Sequence, residues 1–308
     1  MHFLKFNWNP TSGIEIIGNF QLHFYSLMWV TAFLLGFQVM KRIYVKEKVS
    51  LEYLDPLFIY TVLATMFGAR LGHVIFYQPE LFKDDFLSIF LPIRTNPTFE
   101  FTGFQGLASH GAAIGIIIGM YLYRKKYNYK SIMWILDRIV IPVSLGAIFI
   151  RIGNFINSEI IGKVTNSNLG VRFIQDEYSK REAVQLTGIK DPKGAYNAIA
   201  HNPEFKNLLD AVPYRHAAQL YEAGCYVFVF LILWVIYTKT NKKDNPGFLF
   251  GLFLVLLWTV RFFVEFVKEA QVDERATWAL NTGQWLSIPF ILVGFYFMFV
   301  YKGNSKTV

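Results

Sequence analysis

Seven apolar stretches recur along this chain of 308 residues, near 21–40, 54–77, 103–123, 132–157, 217–237, 247–267 and 283–300. Each is close to the roughly 20 residues that a helix needs to cross the hydrocarbon core of a bilayer. A segment in lipid must satisfy its own backbone hydrogen bonds, and runs of this length do so as helices. Charged residues make up only 17% of the chain, against roughly 25% in an ordinary soluble domain. The 31 Phe outnumber the 22 Asp plus Glu, which leaves too little polar surface for a water-facing globule and too much apolar surface for a disordered chain. The expected fold is an all-α polytopic membrane protein with seven transmembrane helices, forming one integral membrane domain over 1–308.

The basic residues then set orientation. Lys41, Arg42, Lys46 and Lys48 follow the first stretch, Arg124, Lys125, Lys126 and Lys130 the third, and Lys239, Lys242 and Lys243 the fifth. Lys302 and Lys306 follow the last, so with seven spans all four basic segments share one side. By the positive-inside rule that side is cytoplasmic, with the N-terminus outside and the C-terminus inside. The net charge of +8 is thereby explained by topology, and no nucleic-acid partner is required. The first 20 residues show no cleavable signal pattern, so the first span is expected to be retained. The polar segment 163–215 then falls outside the membrane as an insertion between spans four and five. Val171, Phe173 and Ile174, with Phe205, Leu208 and Leu209, suggest that it holds some folded structure.

Ionisable residues at membrane depth are costly and mark sites by default. Arg70 and His73 lie in the second stretch, His110 in the third, and Arg151 with Asn154 in the fourth. His216, Gln219 and Glu222 open the fifth, and Arg261 and Glu265 lie near the end of the sixth. At 1.5 Å per residue, His110 and Arg151 both fall roughly 10 Å below the outer surface. Tyr25 lies one turn into the first span. The inner halves are nearly bare of charge apart from Asp137, which disfavours an ion pathway along the full depth. Arginine forks match phosphate oxygens well, so a one-sided pocket of this kind suits an anionic lipid headgroup.

Each residue also has a structural reading. Arg70 fits a snorkelling arginine, Arg261 and Glu265 an i,i+4 ion pair, His110 a hydrogen-bonded core histidine, and Tyr25 a member of an interfacial aromatic belt. The single cysteine, Cys225, excludes a disulfide framework and any thiolate cluster, and no His-x-x-x-His, Cys-x-x-Cys or nucleotide loop occurs. Residue chemistry alone leads to a membrane enzyme or carrier with an anionic-lipid site on the outside.

The run Arg151-Ile-Gly-Asn-Phe-Ile-Asn-Ser-Glu-Ile-Ile-Gly162 resembles the signature of the prolipoprotein diacylglyceryl transferase family. The same family is matched in order by His23-Phe-Tyr25, Gly68-Ala-Arg-Leu-Gly72, Ser109-His-Gly111, His216 with Gln219-Leu-Tyr-Glu-Ala223, Arg261-Phe-Phe-Val-Glu265 and Gly283-Gln-Trp-Leu-Ser-Ile-Pro289. The resemblance implies transfer of diacylglyceryl from phosphatidylglycerol to the lipobox cysteine of a prolipoprotein at a bacterial inner membrane, with no metal or organic cofactor. It implies that Arg151 and Arg261 hold the lipid phosphate, with Asn154, Glu159, Gly162, Glu265 and Arg70 completing the lipid site. Tyr25 matches a position that matters in the family, and His110 is a candidate base for the thiol, although nearby arginines would also favour the thiolate. Leu257 stands where the family carries Tyr, and Ala217 where Pro is common.

Overall fold

The computed structural model describes residues 5–17, 20–91, 93–96, 98–101, 106, 108–269 and 280–303. Strands β1 (Phe6–Trp8), β2 (Gly13–Ile17) and β3 (Phe20–His23) precede helix α1 (Phe24–Lys46). Helix α2 (Leu54–Tyr77) leads to two single turns, α3 (Leu81–Asp84) and α4 (Leu87–Phe90). Strands β4 (Ile93–Arg94) and β5 (Glu100–Phe101) form a short antiparallel pair, followed by α5 (Ser109–Tyr127) and α6 (Ile132–Ile156). The polar stretch contains β6 (Val171–Phe173), α7 (Ile174–Glu177), α8 (Lys180–Thr187), α9 (Pro192–His201) and α10 (Lys206–Ala211). The chain finishes with α11 (Ala218–Lys239), α12 (Phe248–Val264) and α13 (Thr282–Phe299).

Five helical stretches among the described residues are long and apolar enough to cross a membrane: Phe24–Lys46, Leu51–Phe76, Ile132–Ile156, Ala218–Lys239 and Thr282–Phe299. α12 is as apolar but spans 17 residues. The third expected span differs most. Gly106 takes φ +70° and Ala108 is extended; α5 begins at Ser109 and carries His110 in its first turn, and the expected start near 103 lies outside the described residues. Leu34, Ile59, Ile118, Phe228 and Leu292 stand exposed while Arg151, Glu222 and Arg261 are buried, the inversion of ordinary surface chemistry that a lipid solvent requires.

The chain packs as two compact units. The one made of 37–139, 245–247 and 302–308 is built around the α2–α5 pair. Gly68 and Gly72 on α2 meet Gly111 and Gly115 on α5, each spaced by four. A Cβ on Gly68 would stand 2.5 Å from the Gly111 carbonyl oxygen, and one on Gly72 would stand 2.7 Å from the Gly111 Cα. With lipid on the outside, such backbone-to-backbone packing replaces the hydrophobic effect as the force that joins helices. Gly111→Val is therefore expected to destabilise the protein by about 1–3 kcal/mol through overpacking. Thermal unfolding in detergent checks this, and a wild-type melting temperature would refute it. Asp137 is fully buried here and accepts a hydrogen bond from the Gly247 amide at 2.7 Å, while Arg138 pairs with Glu47 at 3.0 Å. These contacts tie down the charges near the start of α6.

In the unit made of 1–36, 140–244 and 248–301, the polar stretch has its own small core. Ile174, Ala183, Ala195, Tyr196, Ile199 and Ala200 are buried together, with Leu208 and Leu209 packed against them. α8 starts with a capping box of Ser179 and Glu182, and α9 with Asp191 as N-cap before Pro192. β1 pairs in parallel with β6, from Phe6 opposite Val171 to Trp8 opposite Phe173. The Trp8 ring stacks on Phe155 at 4.3 Å and its Nε1 donates to the Phe155 carbonyl at 2.9 Å. On the other side of β6, Val171 exchanges backbone hydrogen bonds with Arg215. The ladder then continues from His216 to the segment at Gly162 and from Gly162 to Lys268.

Candidate functional site

That ladder ties the end of α6, the start of α11 and the end of α12 to one another. The Gly162 amide donates to the His216 carbonyl at 2.9 Å, and the Lys163 amide donates to the Val267 carbonyl at 2.8 Å. A Cβ at Gly162 would lie 2.5 Å from the His216 Cβ and 2.7 Å from the Val267 oxygen, so glycine is needed there for two neighbouring strands to close on it. Its place in the signature is explained by this backbone approach.

The side chains brought together by this frame are strongly charged. Arg151 on α6 pairs through Nε with Glu222 on α11. The Lys268 ammonium bridges Glu222 at 2.8 Å and Glu265 at 3.0 Å. Glu265 also accepts from the Asn281 side chain at 3.2 Å, beside Gly283, where a Cβ would stand 2.5 Å from the Glu265 carboxyl carbon. Arg261 lies 5.2 Å from the centre of the Trp258 ring. Among the described residues no carboxylate lies within ion-pairing distance of it, and its buried Nε has no hydrogen-bond partner. Glu222 is fully buried, and Arg151 and Arg261 are each 8% exposed. Among the described residues, Glu222 and Glu265 pair with Arg151 and Lys268, and Arg261 is the buried cation left without a carboxylate at ion-pairing distance. An unpaired buried charge is expensive, and an anionic ligand would relieve it.

The signature turn borders this cluster. Arg151 donates to the Asn154 side-chain oxygen at 3.3 Å, and Asn154 donates to the Glu159 carboxylate at 3.3 Å. Asn157 holds the other Glu159 oxygen at 3.0 Å, and the Gln219 side-chain amide donates to the Glu159 carbonyl. Ser158 and Ile160 take φ +55° and +58°. Left-handed backbone at two non-glycine residues, one of them β-branched, costs on the order of 1–3 kcal/mol each and persists where surrounding structure demands it. Tyr25 on α1 packs against Gly153, where a Cβ would meet its ring at 2.7 Å, and its ring stands edge-on to Trp29 with centroids 6.5 Å apart.

Of the residues expected from the sequence, Arg151, Asn154, Glu159, Gly162, Arg261, Glu265 and Tyr25 fall in this unit. Arg70 and His110 belong to the other unit. There Arg70 donates to the Ser88 carbonyl at 3.0 Å and so anchors the α4 turn. Asp85 fastens the same loop by accepting from the Thr95 hydroxyl at 2.6 Å and the Thr95 amide at 2.7 Å, and these bonds hold its carboxyl below the usual range. Lys268 and Tyr226 were not expected in the site. Lys268 counts in the sequence as one of the loop charges, but it continues the Arg261, Glu265 face by one more turn. Tyr226 is 2% exposed, lies four residues after Glu222, and interacts electrostatically with Arg151. The i,i+4 spacing of Glu222 and Tyr226 was the available signal.

Comparison with known proteins points one way. A family model described as prolipoprotein diacylglyceryl transferase matches residues 12–300. A phosphatidylglycerol–prolipoprotein diacylglyceryl transferase of Bacteroides fragilis is 38% identical over 309 residues, covering 99% of this chain and 98% of the relative. Proteins of the same name from Tolumonas auensis and Porphyromonas gingivalis are each 35% identical. The first covers 94% of this chain and 95% of its own, the second 85% and 82%.

Proposed function

The chain belongs to the prolipoprotein diacylglyceryl transferase family, and from that premise we propose how its residues carry out the transfer. It is a membrane-embedded transferase that moves the diacylglyceryl group of phosphatidylglycerol to a prolipoprotein. In our reading the acceptor is the lipobox cysteine, the chain spans the bacterial inner membrane seven times, and the site opens to the outside with the 163–215 segment. α5 and α12 are then the two spans that complete the five longer ones.

The thiolate sulfur attacks the diacylglyceryl carbon that is esterified to phosphate. A carbon–sulfur bond forms, the carbon–oxygen bond breaks, and its electron pair leaves on the phosphate oxygen. The products are a thioether and glycerol phosphate. The departing phosphate gains negative charge as the bond breaks, so cations aimed at it bind the transition state more tightly than the lipid. Arg151 and Arg261 have that role, with Lys268 setting the charge balance through Glu222 and Glu265. Asn154 and Glu159 orient Arg151, Gly162 permits the ladder that holds them, and Tyr25 packs on the same helix. His110 is the candidate acceptor of the thiol proton. An ordinary cysteine pKa of about 8.5 leaves little thiolate at neutral pH, so a base or a strong positive field is needed. Arg70, which also donates to the Ser88 carbonyl, remains a candidate lipid-binding residue.

The observation that carries this reading is the buried Arg261 cation without a carboxylate at ion-pairing distance among the described residues, the feature a phosphodiester would neutralise. The test uses phosphatidylglycerol labelled in its glycerol headgroup. Water-soluble labelled glycerol phosphate should appear only when a peptide with a free lipobox thiol is present. Saturable lipid binding without release would instead make the protein a lipid carrier.

A further inference from the structure

Two buried polar atoms beside the signature turn are not used by the phosphate site. Ser158 is 5% exposed, and its hydroxyl has no hydrogen-bond partner among the described residues. Gln219 is 1% exposed; its side-chain nitrogen is committed to the Glu159 carbonyl, while its side-chain oxygen has no partner among the described residues. Buried polar atoms in native proteins are nearly always paired, so two orphans around a single residue need an explanation. One is a hydroxyl that both donates and accepts, and the other is an acceptor. A ligand hydroxyl satisfies both kinds of atom.

The backbone supports the same conclusion. Ser158 and Ile160, on either side of Glu159, both take left-handed backbone, and the Glu159 amide is tied to the Asn154 carbonyl at 2.9 Å. From Glu159 a continuous hydrogen-bonded path runs through Asn154 to Arg151. A polar strip thus adjoins the guanidinium assigned to the lipid phosphate.

We propose that Ser158 and Gln219 form a subsite for the hydroxyls of the glycerol headgroup and so select phosphatidylglycerol among anionic phospholipids. The inference rests on the lipid-phosphate reading above and deepens it. Phosphatidylglycerol differs from a simple alkyl phosphatidyl ester only by headgroup hydroxyls, which the arginines do not distinguish. Recognition by buried partners is discriminating because a substrate lacking the hydroxyl leaves them unsatisfied.

The experiment compares phosphatidylglycerol with phosphatidylpropanol, which has the same charge and no headgroup hydroxyl, as donors to a lipobox peptide. The wild-type enzyme should prefer phosphatidylglycerol by at least tenfold in kcat/KM. Ser158→Ala removes no hydrogen bond to a described residue, so the folded protein should keep its melting temperature. Its turnover of phosphatidylglycerol should fall several-fold, with phosphatidylpropanol unchanged. Gln219→Met should narrow the preference further. Equal losses on both lipids would make these residues structural and overturn the subsite, as would a wild-type enzyme indifferent to the two lipids or a Ser158→Ala variant with unaltered preference. Transfer from neither lipid by wild-type protein would overturn the underlying reading together with the subsite, and is distinguished by the absence of any thioether product.

Discussion

Arg261→Ala is expected to lower diacylglyceryl transfer about 10²–10³-fold, the usual cost of removing one preorganised donor from a developing anion. The variant should remain folded. Arg261 has the Trp258 ring beneath it and no carboxylate within ion-pairing distance among the described residues, so truncation strands no opposite charge. The loss to stability should be about 0.5–1 kcal/mol, the worth of a modest cation–π contact. Arg261→Lys keeps the charge but loses the planar fork, and should fall between wild type and alanine. Initial rates of thioether formation, read beside melting temperatures in detergent, separate the two effects. Near-wild-type turnover in Arg261→Ala would remove this residue from the phosphate site.

Glu222→Ala should behave differently, losing stability and activity together. Its carboxylate is fully buried and joins Arg151 to Lys268. Taking away the shared anion leaves two buried cations facing each other, a change that typically costs about 3–5 kcal/mol. Glu222→Gln retains an acceptor for Lys268 and should lose less. The double variant Arg151→Met with Glu222→Leu should regain much of the stability, because buried ion pairs are often replaceable by apolar residues of similar volume. It should regain no activity. Such an outcome assigns the ion pair to function and not to folding; a Glu222→Ala protein as stable as wild type would contradict the placement of Glu222.

The sequence and the structure agree best where lipid is the solvent. The stretches near 54–77, 132–157 and 217–237 coincide within two residues with α2, α6 and α11, because an apolar run between charged ends has few alternatives in a bilayer. α1 runs on to Lys46, past the expected end at 40, since Lys41, Arg42 and Lys46 can continue a helix while their charged ends reach water. α5 begins at Ser109, because the positive φ of Gly106, which hydropathy does not register, keeps that residue out of the helix. In the site, Arg151 and Asn154 do share a hydrogen bond at i,i+3, whereas the i,i+4 ion pair expected of Arg261 and Glu265 does not form. Helical spacing did not disclose that Glu265 takes Lys268 as partner, because Lys268 lies beyond the helix and is carried in by the ladder to Gly162. Nor did it show that Arg70 is occupied at the Ser88 carbonyl, a contact made across a loop of irregular backbone.

The most direct measurement of the central claim follows a lipobox peptide by intact mass after incubation with the purified protein and phosphatidylglycerol. The account predicts a gain of one diacylglyceryl group, absent from a Cys→Ser peptide and reduced at least a hundredfold with Arg261→Ala. A competent thiol peptide that stays unmodified while the wild-type protein binds the lipid would contradict it.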